Sequence, residues 1–67
     1  MKEFGERLKE LRMDKKISTI KLGNEIGVDG TTISRWENGL MSPTIEKLVL
    51  LCKYFGVSSD YLLGLED

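Results

Sequence analysis

Histidine is absent from this 67-residue chain, and cysteine, proline and tryptophan occur once each. One thiol makes neither an internal disulfide nor a multi-thiolate metal centre, and without imidazole the commonest metal ligand and general base are missing. A phosphate-cradling glycine loop and an acidic cluster of metal-binding type are lacking too. Enzymatic chemistry is therefore the least supported class, and no metal, cofactor or small-molecule ligand is expected. The longest unbroken apolar run, Leu48 to Cys52, is far shorter than a bilayer span. The first residues, Met1-Lys2-Glu3-Phe4-Gly5-Glu6, carry no apolar run of signal-peptide type, so a cytoplasmic protein without a membrane partner is expected. An excess of positive charge is missing as well: 10 Lys and Arg stand against 11 Asp and Glu, for a net charge of −1. Composition alone thus does not point to nucleic acid.

What is present is helical. The chain length suits one domain, residues 1–67, with a core near the lower limit for independent folding. From about Lys2 to Lys15, Phe4, Leu8 and Leu11 recur at spacings of four and three, which predicts an amphipathic helix. Ser18 is a cap for a second helix, with Ile17 and Leu22 placed as a hydrophobic staple and Gly27 as the stop. Asp29 caps a third helix running to Asn38, with Val28 and Ile33 as its staple and Gly39 as its end. Ser42-Pro43 is expected to open a fourth, with proline in its first turn and an apolar stripe of Ile45, Leu48, Leu51 or Cys52, and Phe55. Ser58 caps a short fifth helix after Gly56-Val57. Sustained strand alternation is nowhere seen. The fold class expected is all-α, five short helices in one compact domain.

The joint between helices two and three is the informative one. Gly27-Val28-Asp29 is too short for a flexible antiparallel hairpin, and helices joined this tightly cross steeply, as in a helix-turn-helix over about residues 18–38. Gly56-Val57-Ser58 repeats the pattern, so such corners also serve packing alone.

Gly27-Val28-Asp29-Gly30-Thr31-Thr32-Ile33-Ser34-Arg35-Trp36-Glu37-Asn38-Gly39 resembles the phage-repressor and Cro-type helix-turn-helix family. So do Gly5 to Arg12 before it, and Pro43, Leu48, Gly56-Val57-Ser58 and Leu62-Leu63 after it. The resemblance covers almost the whole chain and implies a lambda-repressor-like fold. It also implies a transcriptional regulator that binds double-stranded DNA, usually as a homodimer on a pseudo-palindromic operator. By that resemblance Gly30, Thr31, Thr32 and Arg35 match base-reading positions of a helix in the major groove. Arginine suits such a post because its fork can donate two hydrogen bonds to guanine. Lys9, Ser18, Thr19, Ser34 and Asn38 match phosphate-contacting positions, and Arg12 with Glu37 matches a structural ion pair. The chain also departs from the family. Thr19 replaces a common glutamine, Gly23 a common alanine, Gly30 a long polar residue, and Leu40 and Met41 stand where basic residues are frequent. These changes subtract contacts, so weak binding per monomer is expected.

Trp36, spaced from Ile33, and Cys52, on the stripe of helix four, read as core residues. An apolar surplus at Leu40, Met41, Leu50, Tyr54, Leu63 and Leu65 is the candidate dimer interface. The rival readings are a protein-interaction module and an antitoxin-type autoregulator on the same fold. Net charge −1 favours the first of these; Thr31 and Arg35 favour DNA.

Overall fold

In the computed structural model of the chain, which describes residues 2–66, five helices surround one apolar core. They are α1 (Lys2–Asp14), α2 (Thr19–Ile26), α3 (Gly30–Glu37), α4 (Ile45–Phe55) and α5 (Ser59–Leu62). There is no strand among the described residues. The all-α class and the five helices follow the sequence reading. The core consists of Phe4 and Leu8 from α1, Leu22 and Ile26 from α2, Ile33 and Trp36 from α3, Leu51 and Leu62. Trp36 meets Phe4 edge-on with ring centroids 6.4 Å apart, which makes it a core residue as expected. Cys52 is half-buried against this core, and burial pushes its thiol up from the ordinary cysteine value.

Each helix after the first begins on a side-chain cap. Ser18, Asp29, Thr44 and Ser58 all have extended backbones and accept a hydrogen bond from the N–H three residues on. Thr44 corrects the expected start of α4. Its hydroxyl accepts the Lys47 N–H at 3.2 Å, so the helix begins at Ile45. Pro43 therefore lies upstream of the helix rather than in its first turn. Ile45 is also corrected: it is 80% exposed, because it sits in the first turn at the edge of the apolar stripe. Leu48, Leu51, Cys52 and Phe55 make that stripe.

The helix ends share one device. Gly27 and Gly56 take left-handed conformations directly after α2 and α4, and Gly39 and Gly64 have positive φ one residue beyond the ends of α3 and α5. The end of α1 does the same without a glycine. Lys16 has φ 58°, while its N–H donates to Met13 O and the next N–H, of Ile17, donates to Arg12 O. This double return is a Schellman motif, built on a residue for which the left-handed region costs about 1 kcal/mol.

Long polar side chains then fasten the helices together. Arg7 stands 4.5 Å above the Tyr61 ring and donates to the carbonyls of Tyr61 at 2.8 Å and Glu66 at 2.6 Å, closing α1 onto α5. Lys47 Nζ donates to Ile26 O at 3.2 Å, placing a cation on the carbonyl end of α2, where the helix dipole favours it. α1 approaches α3 closely at Gly5, where a Cβ would lie 2.6 Å from the carbonyl oxygens of both Trp36 and Glu37.

Helix propensity alone favours Gly5→Ala by ~1 kcal/mol. The contact predicts the opposite sign, a loss of ~1–3 kcal/mol in urea unfolding as α1 is pushed off α3. A stabilised variant would show that the two helices do not meet this closely.

Candidate nucleic-acid interface

The turn between α2 and α3 is closed from both sides. Gly27 N–H and Val28 N–H both donate to Gly23 O, at 2.7 and 2.9 Å, which ends α2. Two residues later Asp29 Oδ1 accepts the Thr32 N–H at 2.8 Å and starts α3. Ile26, Val28 and Ile33 turn their apolar side chains inward across this corner. Gly23, which lacks the helix propensity of alanine, has its own use here. A Cβ at Gly23 would press on the Val28 carbonyl oxygen, so the glycine lets the turn fold down onto α2. The first turns of the two helices therefore abut: a Cβ at Gly30 would lie 3.0 Å from Ile20 Cγ1.

The far end of α3 is held by the ion pair expected from the sequence. Arg12 Nε donates to Glu37 Oε2 at 2.6 Å and the same guanidinium donates again to Glu37 Oε1 at 3.1 Å. A third N–H of Arg12 reaches Ile17 O at 2.8 Å. Only 15% of the Arg12 side chain and 5% of the Glu37 side chain remain exposed. The hydrogen bond to Glu37 raises the pKa of Arg12 against the opposing effect of burial, and the attraction of the charges adds to it.

Between these two fixings lies the face that α3 offers to solvent. Thr31 and Arg35, one turn apart, are both exposed and lie on one side of the helix. Thr32 and Ser34 are half-buried, and Asn38 Nδ2 donates weakly to Ser34 Oγ at 3.4 Å. Gly30, grouped with Thr31 and Thr32 among the base-reading matches, is half-buried, and its side-chain direction points at Ile20. Its contribution to this face is backbone. Ser18 is exposed at the start of α2, with Thr19 half-buried beside it. Lys9 and Asn38 are exposed, and no hydrogen bond among the described residues ties Lys9 to the others. Lys21, in the same first turn of α2, pairs with Glu25 at 2.9 Å, which offsets its charge.

The apolar surplus is arranged differently from the sequence expectation. Leu40, Met41, Leu50 and Leu65 are exposed, whereas Tyr54 and Leu63 pack half-buried against the core. Tyr54 is further covered by Lys15, whose Nζ stands 4.4 Å above the ring. Ile45 and Val49, four residues apart on one face of α4, are exposed as well and were missed. Among the described residues no group of His, Cys, Asp and Glu is placed to hold a metal, and no helix is long and apolar enough to cross a membrane.

A family model described as helix-turn-helix matches residues 8–62. The chain belongs to that family. P22 c2 repressor, solved in complex with a synthetic operator, superposes with a TM-score of 0.86 over 92% of this chain and 94% of its own, at 37% identity. The chain is 38% identical over 65 residues to the transcriptional activator BcrR of Enterococcus faecalis, covering 97% of itself and 32% of that protein. It is 32% identical over 54 residues to the transcriptional repressor RstR of a cryptic phage in Vibrio cholerae, covering 81% of itself and 49% of RstR. The chain thus spans half or less of the length of these two curated relatives, while matching a phage-repressor domain almost from end to end. The phage-repressor-like resemblance of Gly27 to Gly39 holds for the whole fold.

Truncating Arg12 or Glu37 alone leaves its partner charged and largely shielded, so each single alanine variant should lose ~3 kcal/mol. The double variant should lose less than the two combined, with a coupling of ~1–3 kcal/mol in a double-mutant cycle. Strict additivity would show that the two do not act on each other.

The cap of α3 links stability to pH. The backbone N–H of Thr32, then its hydroxyl, hold the Asp29 carboxyl below the ordinary aspartate value, and the charge of Arg35 adds to this. The unfolded chain therefore takes up a proton more readily than the folded one. This contribution is present above the ordinary aspartate pKa of ~3.9 and is lost as pH falls below it. Asp29→Asn keeps a capping oxygen and discards the charge. Its acid limb, read by urea unfolding from about pH 5 to about pH 2, should be shallower than that of the wild type. Equal slopes would remove Asp29 as the source.

Proposed function

We propose that this chain is the DNA-binding part of a cytoplasmic transcriptional regulator, acting on double-stranded DNA as a homodimer, with α3 lying in the major groove. The observation that carries this reading is the pair Thr31 and Arg35. They form an exposed polar face on a helix whose two ends are fixed by the Asp29 cap and the Glu37–Arg12 clasp. Base reading needs a rigid platform, since bidentate contacts lose their value when a helix wobbles. The likeness to a repressor solved on its operator supports the same use. In this reading Arg35 donates to guanine O6 and N7, and Thr31 offers a hydroxyl and a methyl to the next bases. Thr32 and the Gly30 backbone flank them. Ser18 and Thr19, at the N-terminus of α2, approach phosphates, where free N–H groups favour an anion. Lys9, Ser34 and Asn38 add backbone contacts.

Net charge −1 bears on affinity. With few cations near the reading face, the non-specific electrostatic attraction that supplies much of protein–DNA binding is small. Two copies on half-sites about one helical turn (~34 Å) apart compensate. Leu40, Met41, Ile45, Val49 and Leu50 are the exposed apolar material for pairing. Relatives that include an activator and a repressor leave the direction of regulation to what the bound site overlaps.

Selection of bound sequences from random duplex DNA, at two salt concentrations, should return a pseudo-palindrome. Arg35→Ala should then weaken binding by ~1–3 kcal/mol and relax preference at one base pair per half-site. An equal loss on selected and random DNA would move Arg35 to a phosphate. Failure to enrich any sequence would transfer the exposed apolar surface, and the function, to a protein partner.

A further inference from the structure

Of the large apolar side chains exposed among the described residues, one lies within the helix-turn-helix itself. Ile20, in the first turn of α2, is 67% exposed between polar neighbours, Thr19 before it and Lys21 after it. It is not covered by another element of the chain. It is also not free to be anywhere: its Cγ1 lies against the backbone of Gly30, at the spot toward which a side chain on residue 30 would be directed, 3.0 Å from that position. A Cβ there would meet the Ile20 backbone too, 3.3 Å from both its N and its Cα. The glycine and the isoleucine are thus one arrangement. The first residue of α3 carries no side chain, and a branched apolar side chain from α2 fills the space above it.

We infer that Ile20 takes the part that residue 30 leaves vacant, contacting the C5-methyl group of a thymine on the major-groove floor beside the base pair met by Thr31. This rests on the DNA-binding reading of α3 given above. Thymine is the one base whose major-groove edge carries a methyl group, and an apolar side chain distinguishes it from cytosine by contact alone. Isoleucine suits the task because its branched Cβ leaves one strongly preferred χ1, so little freedom is lost when the contact forms. The abutting first turns bring Ile20 to the same end of α3 as the exposed Thr31. Specificity is therefore divided between the helices, polar readout from α3 and methyl readout from α2.

The test replaces each thymine of the selected site by deoxyuridine, one at a time, and compares wild type with Ile20→Ala and Thr31→Ser. Ile20 is exposed, and thermal melting checks that each variant stays folded. Burial of one methyl corresponds to about a four-fold change in affinity. For the wild type, one thymine per half-site besides any met by the Thr31 methyl should show a uracil penalty of about that size. In Ile20→Ala this penalty should vanish while the others persist, and in Thr31→Ser it should remain. A uracil profile unchanged by Ile20→Ala, or a penalty abolished by Thr31→Ser instead, overturns the assignment and leaves DNA binding standing. The absence of any selected site would overturn the DNA reading and this inference together.

Discussion

Two charges nearly sealed from water, the guanidinium of Arg12 and the carboxylate of Glu37, join the second half of α1 to the last turn of α3, and the same guanidinium holds the Ile17 carbonyl in the loop between α1 and α2. The end of α1, the loop that follows it and the distant last turn of α3 converge on one side chain. Taking such charges out of water largely offsets their attraction, so the pair is better regarded as a geometric constraint than as a reservoir of stability. It can be satisfied in one arrangement only. A carboxylate with two oxygens and a fork with parallel donors fix both distance and orientation. Phe4, Trp36 and the close approach at Gly5 complete that seam. The Asp29 cap fixes the opposite end of the helix, and the solvent-facing side of α3 is aimed as a consequence.

A chain of this size has a core near the lower limit for independent folding, so contacts outside the core weigh more. The remedy here is a set of cations spent on carbonyls and ring faces rather than on carboxylates. Arg7 reaches the carbonyls of Tyr61 and Glu66 and covers the Tyr61 ring; Lys47 reaches Ile26; Lys15 covers Tyr54. Their alkyl stems cover apolar surface while their heads satisfy helix ends, work that in a larger domain falls to additional core. It also explains where part of the basic inventory goes. Cations that fasten helices are not available to a phosphate backbone, and the reading face is correspondingly modest in charge.

Local signals were legible because the physics that writes them is local. A serine or aspartate followed by an N–H three residues on, and a glycine after the last apolar residue, announce a helix boundary without help from the rest of the chain; Ser18, Gly27, Asp29, Gly39, Gly56 and Ser58 all act as read. Pro43 misled because two adjacent residues competed for the start of α4, and Thr44 carries the side-chain acceptor. Ile45 misled, and the left-handed Lys16 went unread, because exposure at a helix end and a left-handed lysine depend on what the neighbours leave uncovered. The Arg12–Glu37 pair came from family resemblance, not from spacing. The roles of Gly5, Gly23 and Gly30 were out of reach: each is defined by a backbone or side chain from elsewhere approaching within contact distance, and a single letter carries no such information.

The seating of α4 has an evolutionary consequence. This helix packs on α2 and α5, tethered by Lys47, and its outward apolar residues lie beyond a seven-residue segment that follows α3. Drift at Ile45 or Val49 therefore need not disturb the aim of Thr31 and Arg35. If the proposed dimer pairs through α4, two paralogues in one cell could diverge there until they no longer pair with each other, while each keeps its own binding sequence. The converse also holds: a new sequence preference can evolve on α3 within an old pairing. On that proposal, insulation between partner choice and reading would let one small scaffold multiply within a genome without cross-talk.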